Sequence, residues 1–431
     1  MDKMDKKEYS RIGATLYSET LDNGLTVYLM PKPGFQQVFA TFTTHYGSID
    51  SVFRLAGQPD FLTVPDGIAH FLEHKMFESE TGDVFSQYAK YGASANAFTS
   101  FDTTTYLFSC TENVRENTQV LLDFVQDPYF TDENVEKEKG IIGQEIRMYE
   151  DNPEWRSFFG LLRAMYQSHP VRIDIAGTVE SISKIDKDTL YRCYEPFYHP
   201  ANMVFFAVGG FDPDDLMELI RTNQSKKSFS KLPGIERKYP DEQKQVATPT
   251  ATAHLSLKEA RCLIGWKDDE VGLRGKDLLA QEMLTGVVLD TLFGRGSSLY
   301  HKLIDEEIID QQFSWEYEVT PSYGYSLVGG NSSDPTRLVD MVNARLEEVL
   351  KSGLSETEFE RNRKKAIGRF MSSLDSPSYI ARSFTAYQFK GADLFDTIDV
   401  LESLSLKDAN ERMKSHFKPG QQSVSMVLPK Q

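Results

Sequence analysis

Hydrophobic and polar positions follow two different periods along this chain. Thr104 to Cys110 alternates in the manner of a strand, and Val38 to His45 reads as another. Met203 to Val208 is a continuous apolar run, the pattern of a strand covered on at least one face by helices. Asn23-Gly24 stands between two strand-like segments in Leu21 to Leu29 and predicts a hairpin. Gly67 to Phe77 and Val135 to Glu150 carry helical spacing, with Asp66 placed as an N-cap for the first. Strands and long helices mixed in this way predict an α+β protein, built as α/β sandwiches with a mixed, mainly antiparallel sheet covered by helices.

The pattern breaks once, between Asn223 and Thr250, where prolines and polar residues accumulate and apolar ones are few. The flanking halves echo each other. Asp186-Lys187-Asp188 leads through a helical stretch to His199-Pro200 and the strand from Met203. Leu406-Lys407-Asp408 leads likewise to Lys418-Pro419 and the segment Ser423 to Leu428, at a constant offset of 219–220 residues. A period that long indicates duplicated domains rather than a solenoid. The expected organisation is a tail (1–13), a first domain (14–222), a linker (223–250) and a second, homologous domain (251–431). Two such copies account for 431 residues better than three average domains.

Composition narrows the function. The chain holds 64 acidic and 47 basic residues, a net charge of −17, which argues against nucleic acid or anionic lipid as a partner. Cys110, Cys193 and Cys262 are scattered and form no disulfide framework or Cys-x-x-Cys pair, which suits a reducing compartment. No signal-peptide pattern follows Met1, and no apolar run approaches the roughly 20 residues that span a bilayer. The expectation is a cytoplasmic protein without a membrane span.

Candidate chemistry sits in His70-Phe71-Leu72-Glu73-His74. On a helix, His70, Glu73 and His74 project from one face, while Phe71 and Leu72 turn to a core. Two imidazoles one turn apart suit a single zinc ion, and a carboxylate between them suits proton abstraction from water. The order His-x-x-Glu-His is that of the inverzincins. A catalytic zinc needs a third protein ligand. Glu138 and Glu145 lie seven apart on one face of the Val135–Glu150 helix, so one could bind metal while the other holds an imidazole N–H. Ile141, Ile142 and Ile146 supply that helix's core side. The plainer reading of these acids is a solvated helix face.

His70 to Phe77, followed by Glu138 and Glu145, resembles the pitrilysin/insulysin family of zinc endopeptidases, which includes insulin-degrading enzyme and the mitochondrial processing peptidases. The likeness continues in Ala95-Asn96-Ala97-Phe98-Thr99-Ser100 with Thr104-Thr105-Tyr106, and in Tyr198-His199-Pro200-Ala201-Asn202-Met203. It covers most of the first half by specific motifs and the second half by general pattern only, and it is greatest to the short bacterial members that occur as pairs. The resemblance implies one Zn2+ per chain, held by His70, His74 and Glu145, with Glu73 as general base and Glu138 supporting the site from behind the ligands. It implies a peptide substrate lying extended along Ala95, Asn96, Ala97 and Phe98, with Gly92 and Ser94 leaving room for its backbone. It also implies a clam-shell chamber of which this chain is half.

One family feature is missing. Active members carry an Arg and a Tyr seven residues apart in the second domain, and here Ile304 and Gln311 stand at those positions. Arg295, Tyr300 and Tyr317 do not restore the pair. Loss of an oxyanion donor costs roughly 10²–10³ in turnover. A homologous subunit without the zinc motif is therefore expected to complete the site as a heterodimer. A homodimer, or a weakly active or inactive scaffold subunit, are the competing expectations.

Overall fold

The computed structural model describes residues 4–80 and 82–430. Its chain is α+β, as the two periodicities predict, and divides into two compact units. The first comprises residues 1–146, 174–238 and 373–389, and the second residues 147–173, 239–372 and 390–431.

The main sheet of the first unit has seven strands: β1 (Asp5–Tyr9), β2 (Ala14–Thr20), β3 (Thr26–Pro31), β4 (Val38–Thr44), β5 (Ser94–Thr99), β6 (Thr104–Cys110) and β7 (Met203–Gly209). Their spatial order is β1-β2-β3-β7-β4-β6-β5. β3 and β7 are parallel, and every other neighbour is antiparallel. β4 and β7 lie at the centre and are buried along their whole length, which is why both read as nearly unbroken apolar or β-branched runs. The Asn23-Gly24 turn joins β2 to β3 as expected, with the Gly24 amide donating to the Leu21 carbonyl at 2.8 Å. The stretch expected to be an N-terminal tail instead supplies β1 from Asp5, paired along its length with β2.

The second unit's sheet has five strands: β8 (Thr250–Leu255), β9 (Ala260–Lys267), β10 (Ser314–Val319), β11 (Gly324–Ser332) and β12 (Gln422–Pro429). The order is β8-β12-β9-β11-β10, with β8 and β12 parallel and the rest antiparallel. Strand for strand this repeats β3-β7-β4-β6-β5 of the first sheet, including the single parallel pair. The duplication inferred from the helix–Pro–strand offset is thus a duplication of topology.

Seven helices matter here: α1 (Ile68–Lys75), α2 (Asp132–Glu150), α3 (Pro153–Met165), α4 (Lys187–Phe197), α5 (Gly275–Phe293), α6 (Pro377–Phe389) and α7 (Leu406–His416). α3 packs on β8, β9 and β12, so it belongs to the second unit although it lies in the chain's first half. α6 packs on β4 and β7 and belongs to the first unit although it lies in the second half. The contiguous division at 14–222 and 251–431 is corrected accordingly. A helix's apolar stripe says that it must be covered, not by which sheet. The expected linker contains the unit border, between Lys238 and Tyr239, and is anchored where Ile235–Arg237 pairs with Val52–Leu55.

Candidate metal centre

α1 enters the first unit's core through Gly67, whose φ of 89° lies in the left-handed region. A Cβ there would overlap the Ala176 carbonyl oxygen, so glycine is needed both for conformation and for space. Asp66 does not cap the helix as expected. The cap position is Gly67, no side chain bonds the first turn, and the Asp66 carbonyl accepts from Ser181 Oγ at 2.8 Å. Phe71 and Leu72 are fully buried, which anchors α1 and fixes the direction in which His70, Glu73 and His74 point.

α2 supplies the acids. Glu138 is buried with Val135, Ile142 and Ile146. Ile141, expected on that core side, is 45% exposed, because one residue's rotation from Ile142 carries it past the edge of the buried face. His70 Nε2 lies 3.8 Å and His74 Nε2 3.5 Å from Glu145 Oε2. Donor atoms of His70, His74 and Glu145 all fall within 4.8 Å of one another. His74 Nδ1 is taken up by Glu138 Oε1 at 2.9 Å, which leaves Nε2 facing Glu145. The two carboxylate–imidazole separations suit atoms that share one ion at about 2 Å from each. The side chains of His70, His74 and Glu145 are 12%, 26% and 21% exposed, so solvent reaches the cluster.

Burial, then the neighbouring His74, pushes His70 down to about 3, so it is neutral and able to donate a lone pair. Burial would lower His74 too, but its bond to Glu138 outweighs that and leaves it raised. Burial would raise Glu138, and the His74 bond with the charges of His74 and Lys75 reverses this and holds it low. Burial raises Glu73, against the pull of a hydrogen bond that Thr99 Oγ1 donates to Glu73 Oε2 at 2.6 Å.

Two contributors lay outside the sequence reading. Thr99 ends β5 and holds Glu73. Lys75 is fully buried, with its ammonium 2.5 Å from Glu78 Oε2 and 3.8 Å from Glu138 Oε2. Helical spacing contained the signal for Lys75, which stands four residues after Phe71 and three after Leu72 on the apolar face.

Ala95, Asn96, Ala97 and Phe98 lie on β5, the last strand of its sheet, opposite Phe108, Leu107, Tyr106 and Thr105 of β6. No strand pairs with the outer side of β5 among the described residues. The Asn96 side chain accepts from the Ala97 amide at 2.9 Å, and the Arg382 guanidinium lies 4.9 Å from the centre of the Phe98 ring. In the second unit, Ile304 is half-buried and Gln311 is exposed. Arg295 donates to the Gln311 carbonyl at 3.0 Å, Tyr300 is buried, and the Tyr317 hydroxyl donates to Asp268 Oδ2 at 2.7 Å.

The profile of a family described as insulinase (peptidase family M16) matches residues 64–179, and that of the peptidase M16 inactive domain matches residues 184–366. The uncharacterized zinc protease YmfH of Bacillus subtilis (strain 168) is 47% identical over 425 residues, covering 98% of this chain and 99% of that protein. A crystal structure of an M16-like peptidase from Alicyclobacillus acidocaldarius superposes with a TM-score of 0.94 at 44% identity, over 100% of this chain and 99% of that one. A protease from Helicobacter pylori shares the fold, with a TM-score of 0.81 at 21% identity over 96% and 99% of the two chains. No described helix is long and apolar enough to cross a membrane.

Proposed function

This chain belongs to peptidase family M16, the insulinase family, and we propose that it is the zinc-bearing subunit of a cytoplasmic endopeptidase for short or unfolded peptides. The observation that carries the reading is the convergence of His70, His74 and Glu145 donor atoms within 4.8 Å, with Glu73 on the same face of α1. These three residues would hold the ion. A zinc ion held there would supply Lewis acidity for the scissile carbonyl and for the attacking water. Glu73 is the general base: Thr99 holds one carboxylate oxygen, and the other takes a proton from water and returns it to the leaving amine. Glu138, bonded to His74 Nδ1, fixes the tautomer that presents Nε2. The substrate lies along the open side of β5, its main chain pairing with Ala95 to Phe98, for which the Asn96 side chain must release the Ala97 amide.

The second domain offers no Arg/Tyr pair. Ile304 cannot donate, and Tyr317 is committed to Asp268. A homologous partner lacking the zinc motif supplies the pair in this reading, each chain forming half of a chamber. A scaffold subunit is the second reading, favoured by the match of residues 184–366 to an inactive-domain profile. Metal analysis of the purified chain, with cleavage of an unstructured peptide by wild type and Glu73→Gln in the presence and absence of an M16 homologue carrying the pair, separates them. Stoichiometric zinc and Glu73-dependent cleavage that rises at least 100-fold with the homologue is expected. Zinc without Glu73-dependent cleavage in any mixture supports the scaffold. Full activity of the chain alone removes the need for a partner.

A further inference from the structure

The second unit's sheet ends on β8, and no strand lies on its outer side among the described residues. The Pro249 and Leu255 carbonyls point inward, accepting from the amides of Val424 and Lys430 at 2.9 and 2.8 Å. By the two-residue repeat of a strand, the amides and carbonyls of Thr250, Thr252 and His254 point outward. These three residues are exposed, whereas Ala251 and Ala253 between them are half-buried.

The duplicated sheet shows what such a position holds. There the equivalent of β8 is β3, and β2 pairs antiparallel along its outer side. One copy of the domain has that strand and the other does not. Open edges are ordinarily blunted by charge or proline. β1, at the far edge of the first sheet, reads Asp-Lys-Lys-Glu-Tyr, and β10 carries Glu316 and Glu318. β8 reads Thr-Ala-Thr-Ala-His-Leu, with no acidic, lysine or arginine side chain and with proline only at Pro249 before its first residue.

A cavity of about 220 Å³ runs beside this edge, between β8 and α3, lined by Arg156, Gly160, Arg163, Ala251, Thr252 and Ala253. Its small side chains leave space for a guest side chain. The Arg156 Nε is shut off from solvent and has no hydrogen-bond partner among the described residues. An arginine fork in that condition is best satisfied by a carboxylate, which can accept two parallel bonds.

We propose that the β8 edge docks an extended acidic segment of another polypeptide, which adds to the sheet as a strand and sets a carboxylate on Arg156. Main-chain pairing with Thr250, Thr252 and His254 supplies affinity, and Arg156 selects acidic over basic sequences. This surface is made wholly by the second unit and stands whether or not the chain is a peptidase.

The test uses the full chain carrying Glu73→Gln, so that no probe is cleaved, and a fluorescein-labelled octapeptide of alternating valine and glutamate. Saturable binding by anisotropy is expected, with slowed amide exchange at residues 250–255 and none of it at 94–99. Arg156→Gln should weaken binding about tenfold and flatten its salt dependence. Thr252→Pro, which removes an outward donor and leaves the ladder to β12 intact, should weaken it at least as much. Should the proline variant misfold, a peptide N-methylated at alternate amides makes the same test from the other side. Equal binding by a valine–lysine peptide, no response to Arg156→Gln, or protection confined to 94–99 overturns the proposal. So does protection of 250–255 by self-association alone, which would make a second copy of this chain the occupant.

Discussion

Glu138→Gln is the most informative single change at the candidate centre. It preserves side-chain shape and keeps an oxygen that can accept from His74 Nδ1–H, so it removes charge while leaving the hydrogen bond possible. The native carboxylate is nearly buried, at 6% exposure, with its oxygens 2.9 Å from His74 Nδ1 and 3.8 Å from the Lys75 ammonium. Those two neighbours keep it ionised against the cost of burial. An ionised partner makes the imidazole more basic and fixes its free nitrogen toward Glu145. Losing such support typically weakens metal affinity or activity 10–100-fold, which is about 1.4–2.7 kcal/mol. The fold should survive, because Lys75 retains Glu78 at 2.5 Å. The assay is competition for zinc against a chromophoric chelator, paired with circular dichroism. Glu136→Gln, at an exposed position paired with Lys139 on the outer side of α2, is the control and should match wild type. Zinc affinity within threefold of wild type in a folded Glu138→Gln protein would refute the assignment of Glu138 as the group that orients His74.

Other perturbations test the framework. Gly67→Ala places a Cβ at a left-handed φ and against the Ala176 carbonyl, and should cost about 2–5 kcal/mol in urea unfolding. It should also weaken zinc binding, since α1 starts there, whereas unchanged stability would show that the loop relaxes freely. Asp268 is held well below the usual carboxylate range: burial would raise it, but His416 and Arg412 more than reverse that. Its contribution to stability is present above an unfolded-chain value of about 3.9 and is lost as pH falls below it. Asp268→Asn should cost about 3–5 kcal/mol at neutral pH by leaving the buried Arg412 poorly compensated, and should flatten the acid limb of stability against pH. Burial lowers His169 to about 4, beside Glu242 and Lys267. Its neutral form therefore stabilises the fold above about 6.5, and about 3 kcal/mol is lost as pH falls from there to about 4. His169→Asn keeps an acceptor for the Val171 amide and should remove that slope from the urea midpoint; an identical slope would mean the titrating group lies elsewhere.

The parts of this protein that sequence determines are those set by local periodicity. His70, Glu73 and His74 share a face because a helix repeats every 3.6 residues, and Phe71 and Leu72 anchor the other side of the helix in the core. Glu138 and Glu145 share a face for the same reason. The offset between the two helix–Pro–strand segments was enough to reveal a duplication, since each copy preserves its own local order. Helical spacing left open which acid faces which imidazole atom, and the tertiary structure shows those contacts, with Glu145 facing both Nε2 atoms and Glu138 taking His74 Nδ1. That choice depends on how two helices sixty residues apart in the chain pack together. Packing likewise turned Ile141 to solvent, carried Lys75 inside, brought Thr99 to Glu73 and replaced the expected Asp66 cap with a glycine lodged against Ala176. The exchange of α3 and α6 between units lies furthest from what sequence can show. An apolar stripe of a given width and period fits either of two sheets with the same strand order, and only their completed surfaces distinguish them.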